Sequence, residues 1–282
     1  TLLSAAAMYA FVFGVIEGPE RGWGDRITIF SVAFGVVGLV AFVLWELRRR
    51  EPMLDPRHFA RRGFAAGTLS VSVQFFAAFG FFFLALPYLQ LVMGYTPLRA
   101  AGALVPMALV VIPLSRKAPA IAAHVGVRVA GAAGLSLMAV GFVVLSTLDV
   151  GSSYWHFLAG LLPFGAGMAL AGAPATTAIV ASLPRSKQGV ASAVNDVSRE
   201  LGGALGIAVL GSLMNSVYRS EMADSTGSLP AGVGEKARGS LAAAQEIGER
   251  LGPQGHQRVF DAQGAFVSGL SRGLVGGAVL LL

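Results

Sequence analysis

The sequence predicts an all-α protein that crosses a membrane several times. Of its 282 residues, 55% are hydrophobic and only 13% are charged, whereas a soluble domain has about 25% charged residues. Most of the chain consists of long apolar runs separated by short polar connectors. Runs of this length are typical of spanning helices, because outer-membrane strands are roughly 9 to 11 residues long and alternate in polarity. We therefore expect a polytopic bundle of transmembrane helices.

Eight apolar segments are long enough to span: Thr1–Glu17, Ile27–Trp45, Phe64–Val92, Leu98–Leu114, Val129–Leu148, Tyr154–Leu183, Gly189–Val217 and Gly264–Leu282. The prolines inside some of them are compatible with helices, because neighbouring helices satisfy the freed carbonyl groups. The chain begins and ends inside apolar runs, so we expect it to be part of a longer protein.

Basic residues concentrate in alternate connectors. One side of the bundle would carry Arg48, Arg49, Arg50, Arg57, Arg61, Arg62, Arg116, Lys117, Arg128, Arg185 and Lys187. The short connectors of the other side hold only Arg21, Arg26 and Arg99. Because cytoplasmic loops are enriched in Lys and Arg, we expect the Arg-rich side to be cytoplasmic, in a cell membrane. This pattern explains the net charge of +6 without a nucleic-acid partner.

The polar stretch 218–263 is predicted to be an extracytoplasmic loop. Within it, Glu235–Leu251 has the spacing of an amphipathic surface helix, with Leu241, Ala244, Ile247 and Leu251 on one face. A solvated loop and a cap over a transport pathway both fit this pattern.

Motifs of soluble enzymes are missing from the sequence. It has no P-loop, no HExxH, no GxSxG and no GxGxxG between a strand and a helix. The histidines His58, His124, His156 and His256 lie in connectors or at segment ends, without the spacing of a metal site. Cysteine is absent, which excludes thiolate ligands and disulfides. We expect no catalytic residues, no metal site and no cofactor.

Charged residues interrupt the seventh segment, Gly189–Val217. Asp196 and Glu200 are four residues apart and share a helix face, and Arg199 can approach Asp196. One interpretation is an internal ion pair that holds the helix in register. The other is a pair of carboxylates that exchange protons or meet a cationic substrate. In the same segment, Gly202 and Gly206 form a GxxxG spacing that allows close helix packing.

The third segment, Phe64–Val92, contains candidate substrate-binding groups. Gln74, Tyr88 and Gln90 are polar side chains within an apolar run. Phenylalanines cover every face of the segment: Phe75, Phe76, Phe79, Phe81, Phe82 and Phe83. They are compatible with contact to lipid, and also with stacking against an aromatic cationic ligand.

Two stretches carry a family resemblance. Residues 88–102, YLQLVMGYTPLRAAG, are followed by Pro106, and residues 199–208 are RELGGALGIA. Both resemble the major facilitator superfamily, in particular its fourteen-helix drug:proton antiporters of the EmrB/QacA type. The run from Gly165 to Pro174 and the following LPRSKQGVASAVND are similar to the twelfth helix of that family and the turn after it.

The resemblance implies an architecture. Residues 1–47 would form two extra helices between the halves of the transporter, and 48–63 a cytoplasmic connector. Residues 64–217 and 264–282 would form the C-terminal six-helix bundle, with the last helix truncated, around the extracytoplasmic loop 218–263. The N-terminal half would be missing from this chain.

The resemblance also implies a function. The protein would export small lipophilic cationic compounds, such as drugs, in exchange for protons. Its partners would be a small-molecule substrate, protons, the lipid bilayer and the missing N-terminal half. A membrane scaffold or receptor without transport activity, and a membrane-embedded lipid enzyme, are the alternatives.

The chain departs from the family pattern at two places. The connector Ser115–Arg128 lacks the aspartate of the usual gating loop, with His124 nearby, and Glu200 stands where many relatives carry glutamine.

Overall fold

The protein is described here by a computed structural model covering residues 2–49, 52, 55–226, 231–252 and 255–282. Within these ranges all regular structure is helical. The α-helices are α1 Leu2–Arg21, α2 Arg26–Arg48, α3 Arg62–Pro87, α4 Pro97–Ala103, α5 Val105–Val125, α6 Val127–Leu145, α7 Tyr154–Ala181, α8 Gln188–Ser225, α9 Ala231–Gly239, α10 Leu241–Arg250 and α11 His256–Leu281. A π-helical turn, Tyr88–Val92, extends α3. Thr1 and Arg50, included in the sequence predictions, lie outside the described ranges.

The all-α, membrane-spanning fold class is confirmed. Seven helical stretches in the described ranges are long and apolar enough to cross a bilayer: Arg26–Arg48, Arg62–Val92, Pro97–Val125, Val127–Leu145, Tyr154–Ala181, Arg185–Ala223 and His256–Leu281. The apolar part of α1 is only Leu3–Gly18. At 1.5 Å per residue it is roughly 24 Å long, less than the ~30 Å of a hydrocarbon core.

The prediction that Ser115–Arg128 is a connector is wrong over most of its length. Helix α5 continues through it to Val125, with Pro113 and Pro119 inside the helix. The helix ends at Gly126, whose φ of +90° is accessible to glycine at little cost. Helix α6 starts immediately afterwards. The basic side chains Arg116 and Lys117 therefore lie on a helix.

The polar stretch after Val217 is also more helical than predicted. Helix α8 has 38 residues and continues to Ser225, and α11 begins at His256 instead of Gly264. Just past the predicted end, Tyr218 is buried and donates a hydrogen bond of 2.9 Å to the carbonyl oxygen of Ala237. This contact with α9 supports the extra turns of α8.

The predicted single helix Glu235–Leu251 is two helices, α9 and α10. They are separated at Ser240, whose extended backbone and side-chain oxygen cap α10 by accepting from the amide of Ala243. Leu241 and Ala244 are buried as the spacing predicts, whereas Leu251 is 42% exposed.

The Cα positions form two compact units, and the first comprises residues 1–80, 112–135 and 167–208. Its core includes Phe64, Val71, Ile179 and Val194, from α3, α7 and α8. Small residues set the close approaches between its helices. A side chain at Gly134 would lie 2.6 Å from the backbone nitrogen of Ala171, so this contact requires glycine.

The second unit comprises residues 81–111, 136–166 and 209–282. Its core is aromatic, with Phe81 4.7 Å from Phe164 and Phe142 5.0 Å from Phe164 between ring centroids. The short helices α9 and α10 pack on each other, and α10 packs on α11.

The phenylalanines of α3 lie in two environments, the buried core and the exposed surface. Phe76 and Phe81 are buried, whereas Phe79 and Phe83 are exposed, at 46% and 43%.

Candidate functional site

The two glycines of the GxxxG lie where α8 crosses α3. A Cβ at Gly202 would overlap the backbone carbonyl oxygen of Ser72, and a Cβ at Gly206 would overlap that of Phe76. Both pairs advance by four residues in the same direction, so the two helices run parallel at this contact. The backbones approach so closely because neither glycine has a side chain.

This contact also gives the depth of the charged residues. Arg62 begins the spanning stretch Arg62–Val92, and Ser72 lies ten residues, about 15 Å, further along. With Arg62 taken as the start of a ~30 Å hydrocarbon core, this distance is half of the core and Gly202 would lie near mid-depth. Counting back along α8, Glu200 is about 12 Å and Asp196 about 6 Å from the level of Arg62.

The face of α8 that bears the carboxylates does not pack on this unit. Asp196 and Glu200 are exposed, as is Ser192 one turn before them. These three residues form a row with a spacing of four, which is one ridge of a helix. Asn195 and Ser198, on the other side, are buried. Helix α8 therefore has a buried packing side and an exposed polar ridge.

Arg199 does not pair with either carboxylate. Of the four ion pairs among the described residues, none contains Asp196, Arg199 or Glu200, so the internal ion pair is not formed in this structure. The Arg199 guanidinium carbon instead lies 5.1 Å from the centroid of the Phe75 ring. The Nε atom of Arg199 is buried without a hydrogen-bond partner.

Gln74, a predicted substrate-binding residue, is only 2% exposed. Its Nε2 donates a 2.7 Å hydrogen bond to the carbonyl oxygen of Met168 on α7. In this conformation its amide joins α3 to α7 and does not face an open cavity.

A second polar contact, which the sequence did not indicate, joins α7 to α8. The hydroxyl of Thr176 donates to Oδ1 of buried Asn195 at 3.3 Å. The available signal is helical periodicity, which places Asn195 100° around the helix from Asp196 and toward the packing side.

Tyr88 and Gln90 belong to the π-helical turn at the end of α3. Tyr88 is fully buried, and its hydroxyl donates to the carbonyl oxygen of Asp149 at 3.1 Å, while Gln90 is half-buried.

The carbonyl oxygen of Leu91 in the same turn accepts hydrogen bonds from the side-chain amides of Gln245 and Gln263, at 2.5 and 2.8 Å. These two glutamines were not predicted, because the last carbonyl groups of a helix lack intrahelical partners in any sequence, and nothing in the sequence indicates which side chains donate to them.

The surface of the second unit has an open depression of about 770 Å³ with acidic walls. Its lining includes Asp149, Glu221 and Asp261, together with one cation, Arg272, whose Nη2 lies 3.9 Å from Glu221. With three carboxylates and one guanidinium, the wall has a net negative charge at neutral pH. It would favour cations over anions.

Comparison with known proteins gives relatives over most of the chain. It is 34% identical over 213 residues to "Multidrug resistance protein Stp" of Mycobacterium tuberculosis, covering 76% of this chain and 40% of that protein. It is 30% identical over 256 residues to the "Tetracenomycin C resistance and export protein" of Streptomyces glaucescens, covering 88% and 46%. It is 28% identical over 281 residues to "Multidrug efflux pump LfrA" of Mycolicibacterium smegmatis, covering 100% and 56%.

The chain spans about half the length of these curated relatives. The family model described as Major Facilitator Superfamily matches residues 2–207, which include α1 to α7 and the part of α8 that bears both carboxylates and both glycines. With this match and its bundle of apolar helices, the chain belongs to the Major Facilitator Superfamily.

Proposed function

We propose that this chain is part of a transporter that exports small lipophilic, cationic compounds in exchange for protons. The observation that carries the proposal is the polar ridge of α8, formed by Ser192, Asp196 and Glu200 and exposed on the side away from the Gly202 contact. Ionisable side chains in spanning helices are costly against lipid and face a protein partner or water. This ridge would therefore line the transport pathway.

The chemistry of the ridge suits a proton-coupled cation exporter. A carboxylate can release a proton and attract a cation, or take up a proton and release the cation, so Asp196 and Glu200 would bind either a proton or the substrate. Arg199 would not neutralise them, since its guanidinium lies on Phe75. The net negative wall of the open depression around Asp149, Glu221 and Asp261 would also attract cations. Three relatives with export, efflux or resistance in their names support export of small molecules.

The other half of the pathway would come from a further membrane portion of the protein. The relatives are about twice as long as their matched regions, and in this superfamily substrates bind between two halves that rock against each other. Residues 64–217 and 264–282 would then be the C-terminal bundle and 1–47 the two extra helices, as in fourteen-helix antiporters.

We also propose a sidedness. The connectors with Arg61, Arg62 and Arg185 would be cytoplasmic in the plasma membrane, which puts Asp196 nearer the cytoplasm than Glu200. Helices α9 and α10 would lie outside.

Gln74, Tyr88 and Gln90 would contact substrate only after a conformational change. Gln74 and Tyr88 are buried and bonded to backbone carbonyl oxygens. Opening the α3–α7 contact would free the Gln74 amide for a substrate.

Inverted membrane vesicles from cells expressing the transporter would test this proposal. An imposed pH gradient, a pH-sensitive dye inside the vesicles and added ethidium report coupled proton release. We expect ethidium to release protons with the unaltered protein, and Asp196→Asn with Glu200→Gln to abolish the release while insertion is unchanged. The matched control is Glu246→Gln, which removes an exposed carboxylate of α10.

Release that survives the double substitution would contradict a coupling role for the ridge. Absence of release with ethidium and with other lipophilic cations would contradict proton-coupled cation export. It would favour a scaffold or receptor.

A further inference from the structure

A groove opens on the first unit between the starts of α3 and α6 and the end of α7. Its volume is about 540 Å³. Along α3 it extends from Arg62 to Ser70, and along α6 from Val127 to Leu135. Most of its other walls are glycine and alanine. The groove is separate from the polar ridge of α8, none of whose residues lines it.

The groove has the depth of one bilayer leaflet. It extends over eight residue steps on each of two helices, which is about 12 Å at 1.5 Å per residue. Half of a ~30 Å hydrocarbon core is about 15 Å. Its mouth would lie at the membrane boundary, because Arg62 and Val127 are the first residues of two candidate spanning stretches. A molecule in the groove would have one end at the head-group level and the other among acyl chains.

Two arginines mark the head-group end. Arg62 and Arg128 line the groove and are exposed. Neither takes part in the four ion pairs found among the described residues. The neighbouring Arg61 differs, because its guanidinium donates to the carbonyl oxygen of Ser182 at the end of α7. Within the described part of the chain, the mouth of the groove therefore carries two positive charges that form no ion pair.

The apolar part of the groove has room for a chain. A Cβ at Gly131 would meet no atom within 4 Å, so this glycine is not required by packing on the described residues. At Gly67, in contrast, a Cβ would lie 2.9 Å from the carbonyl oxygen of Ala175. The floor is thus the tight contact of α3 with α7, and the space opens toward α6.

We propose that this groove binds an anionic phospholipid, with its phosphate at Arg62 and Arg128 and one acyl chain along the groove beside Gly131. Basic pockets between spanning helices on the cytoplasmic side are suited to anionic head groups. A lipophilic cation would be repelled by the same two arginines. The inference requires membrane insertion but not transport, so it stands or fails independently of the export proposal.

The absence of cysteine in this chain allows a single reporter. Cysteine in place of Ala132, an exposed groove residue, is labelled with bimane in the whole transporter, after any cysteines elsewhere in it have been replaced. The protein is reconstituted in phosphatidylcholine vesicles containing a small fraction of lipid with brominated chains, either phosphatidylglycerol or phosphatidylcholine. Bromine quenches bimane on contact, so quenching measures which lipid occupies the groove.

We expect brominated phosphatidylglycerol to quench with a relative affinity roughly tenfold that of brominated phosphatidylcholine, since each arginine near the membrane surface attracts anionic lipid. Arg62→Gln with Arg128→Gln should remove this preference. The matched control is Arg116→Gln with Lys117→Gln, which removes the same charge from exposed positions of α5 that do not line the groove, and should retain it. Gly131→Leu should also reduce quenching by phosphatidylglycerol, because the side chain fills the space for the acyl chain.

Four results would overturn the proposal. Equal quenching by the two lipids would mean ordinary boundary lipid. A preference that survives the loss of both groove arginines would put the anionic lipid elsewhere, and so would quenching by phosphatidylglycerol that Gly131→Leu leaves unchanged. Shielding of the reporter from both lipids would mean that the groove is covered by protein, either another segment of the transporter or a second copy of it.

Discussion

Gly202 lies against the backbone of Ser72 so closely that a Cβ on Gly202 would overlap the Ser72 carbonyl oxygen. The contact fixes how α8 packs on α3, and thereby which side of α8 remains exposed. Gly206 repeats it one turn later against Phe76. The direction of the Asp196–Glu200 ridge is therefore a consequence of two glycines on the opposite side of the helix.

Gly202→Ala should destabilise the protein. The added methyl group forces the two helix backbones apart, and overpacking of this kind costs about 1–3 kcal/mol. Thermal unfolding in detergent, monitored by size-exclusion chromatography, would measure the loss of stability. Gly189→Ala is the control on the same helix, since a Cβ there meets nothing within 4 Å, and it should be neutral or slightly stabilising. Equal effects of the two substitutions would contradict the packing described for Gly202.

A double-mutant cycle should detect coupling between Arg199 and Phe75. A guanidinium over an aromatic ring contributes about 0.5–1 kcal/mol at exposed sites, and more when it is desolvated. The cycle of Arg199→Gln with Phe75→Leu should therefore give a coupling free energy in this range, measured from thermal or denaturant unfolding. The cycle of Arg199→Gln with Asp196→Asn should give a smaller value. A larger coupling free energy between Arg199 and Asp196 than between Arg199 and Phe75 would favour the ion pair that the sequence suggested.

The two glutamines on Leu91 should be redundant. Either Gln245 or Gln263 alone can donate to the carbonyl oxygen, so Gln245→Leu or Gln263→Leu should cost less than about 1 kcal/mol. The double substitution leaves the carbonyl without either amide and should cost more than the sum. Hydrogen exchange, measured by mass spectrometry, would report this loss of stability as faster exchange in α10. Gln257→Leu, which removes an exposed contact with Asp261, is the control, and additivity would contradict a shared acceptor.

Gln74→Leu should lower stability by about 1 kcal/mol, because it removes the hydrogen bond to Met168 while it nearly conserves volume. Gln90→Leu, at a half-buried position, should change stability less. In transport assays Gln74→Leu should then reduce export of different compounds to a similar extent. Selective loss of one compound with unchanged stability would instead indicate direct substrate contact.

Hydrophobic length predicted the helices well but their ends poorly. Segments such as Tyr154–Leu183 differ from the observed α7 by two residues, because a long apolar run has few alternatives in a membrane. Arg116, Lys117 and Pro119 suggested a connector, yet α5 continues through them. The extension of α8 past Val217 depends on the contact of Tyr218 with Ala237, between residues 19 apart, which no local pattern indicates.

The site was predictable only in part. Spacing alone placed Asp196 and Glu200 on one face of α8, and the structure has them on one exposed ridge. The partner of Gln74 is a backbone carbonyl oxygen 94 residues away, and backbone acceptors have no sequence signature. Arg199 was expected beside a carboxylate because charges attract, but in the folded chain an aromatic ring of α3 lies closer.

Thiol labelling of the ridge tests the central claim most directly. Ala204→Cys puts a reactive group one turn beyond Glu200 on the same ridge, about 18 Å from the level of Arg62, without altering either carboxylate. A water-soluble charged thiol reagent reports exposure of this cysteine to water. Val209→Cys, an exposed position about 140° around the helix, is the control. We expect Ala204→Cys to be labelled, ethidium to slow that labelling, and Val209→Cys to remain unlabelled. Absence of labelling at Ala204→Cys, with quenching of a bimane reporter there by brominated lipid, would show that the ridge faces lipid and contradict the account.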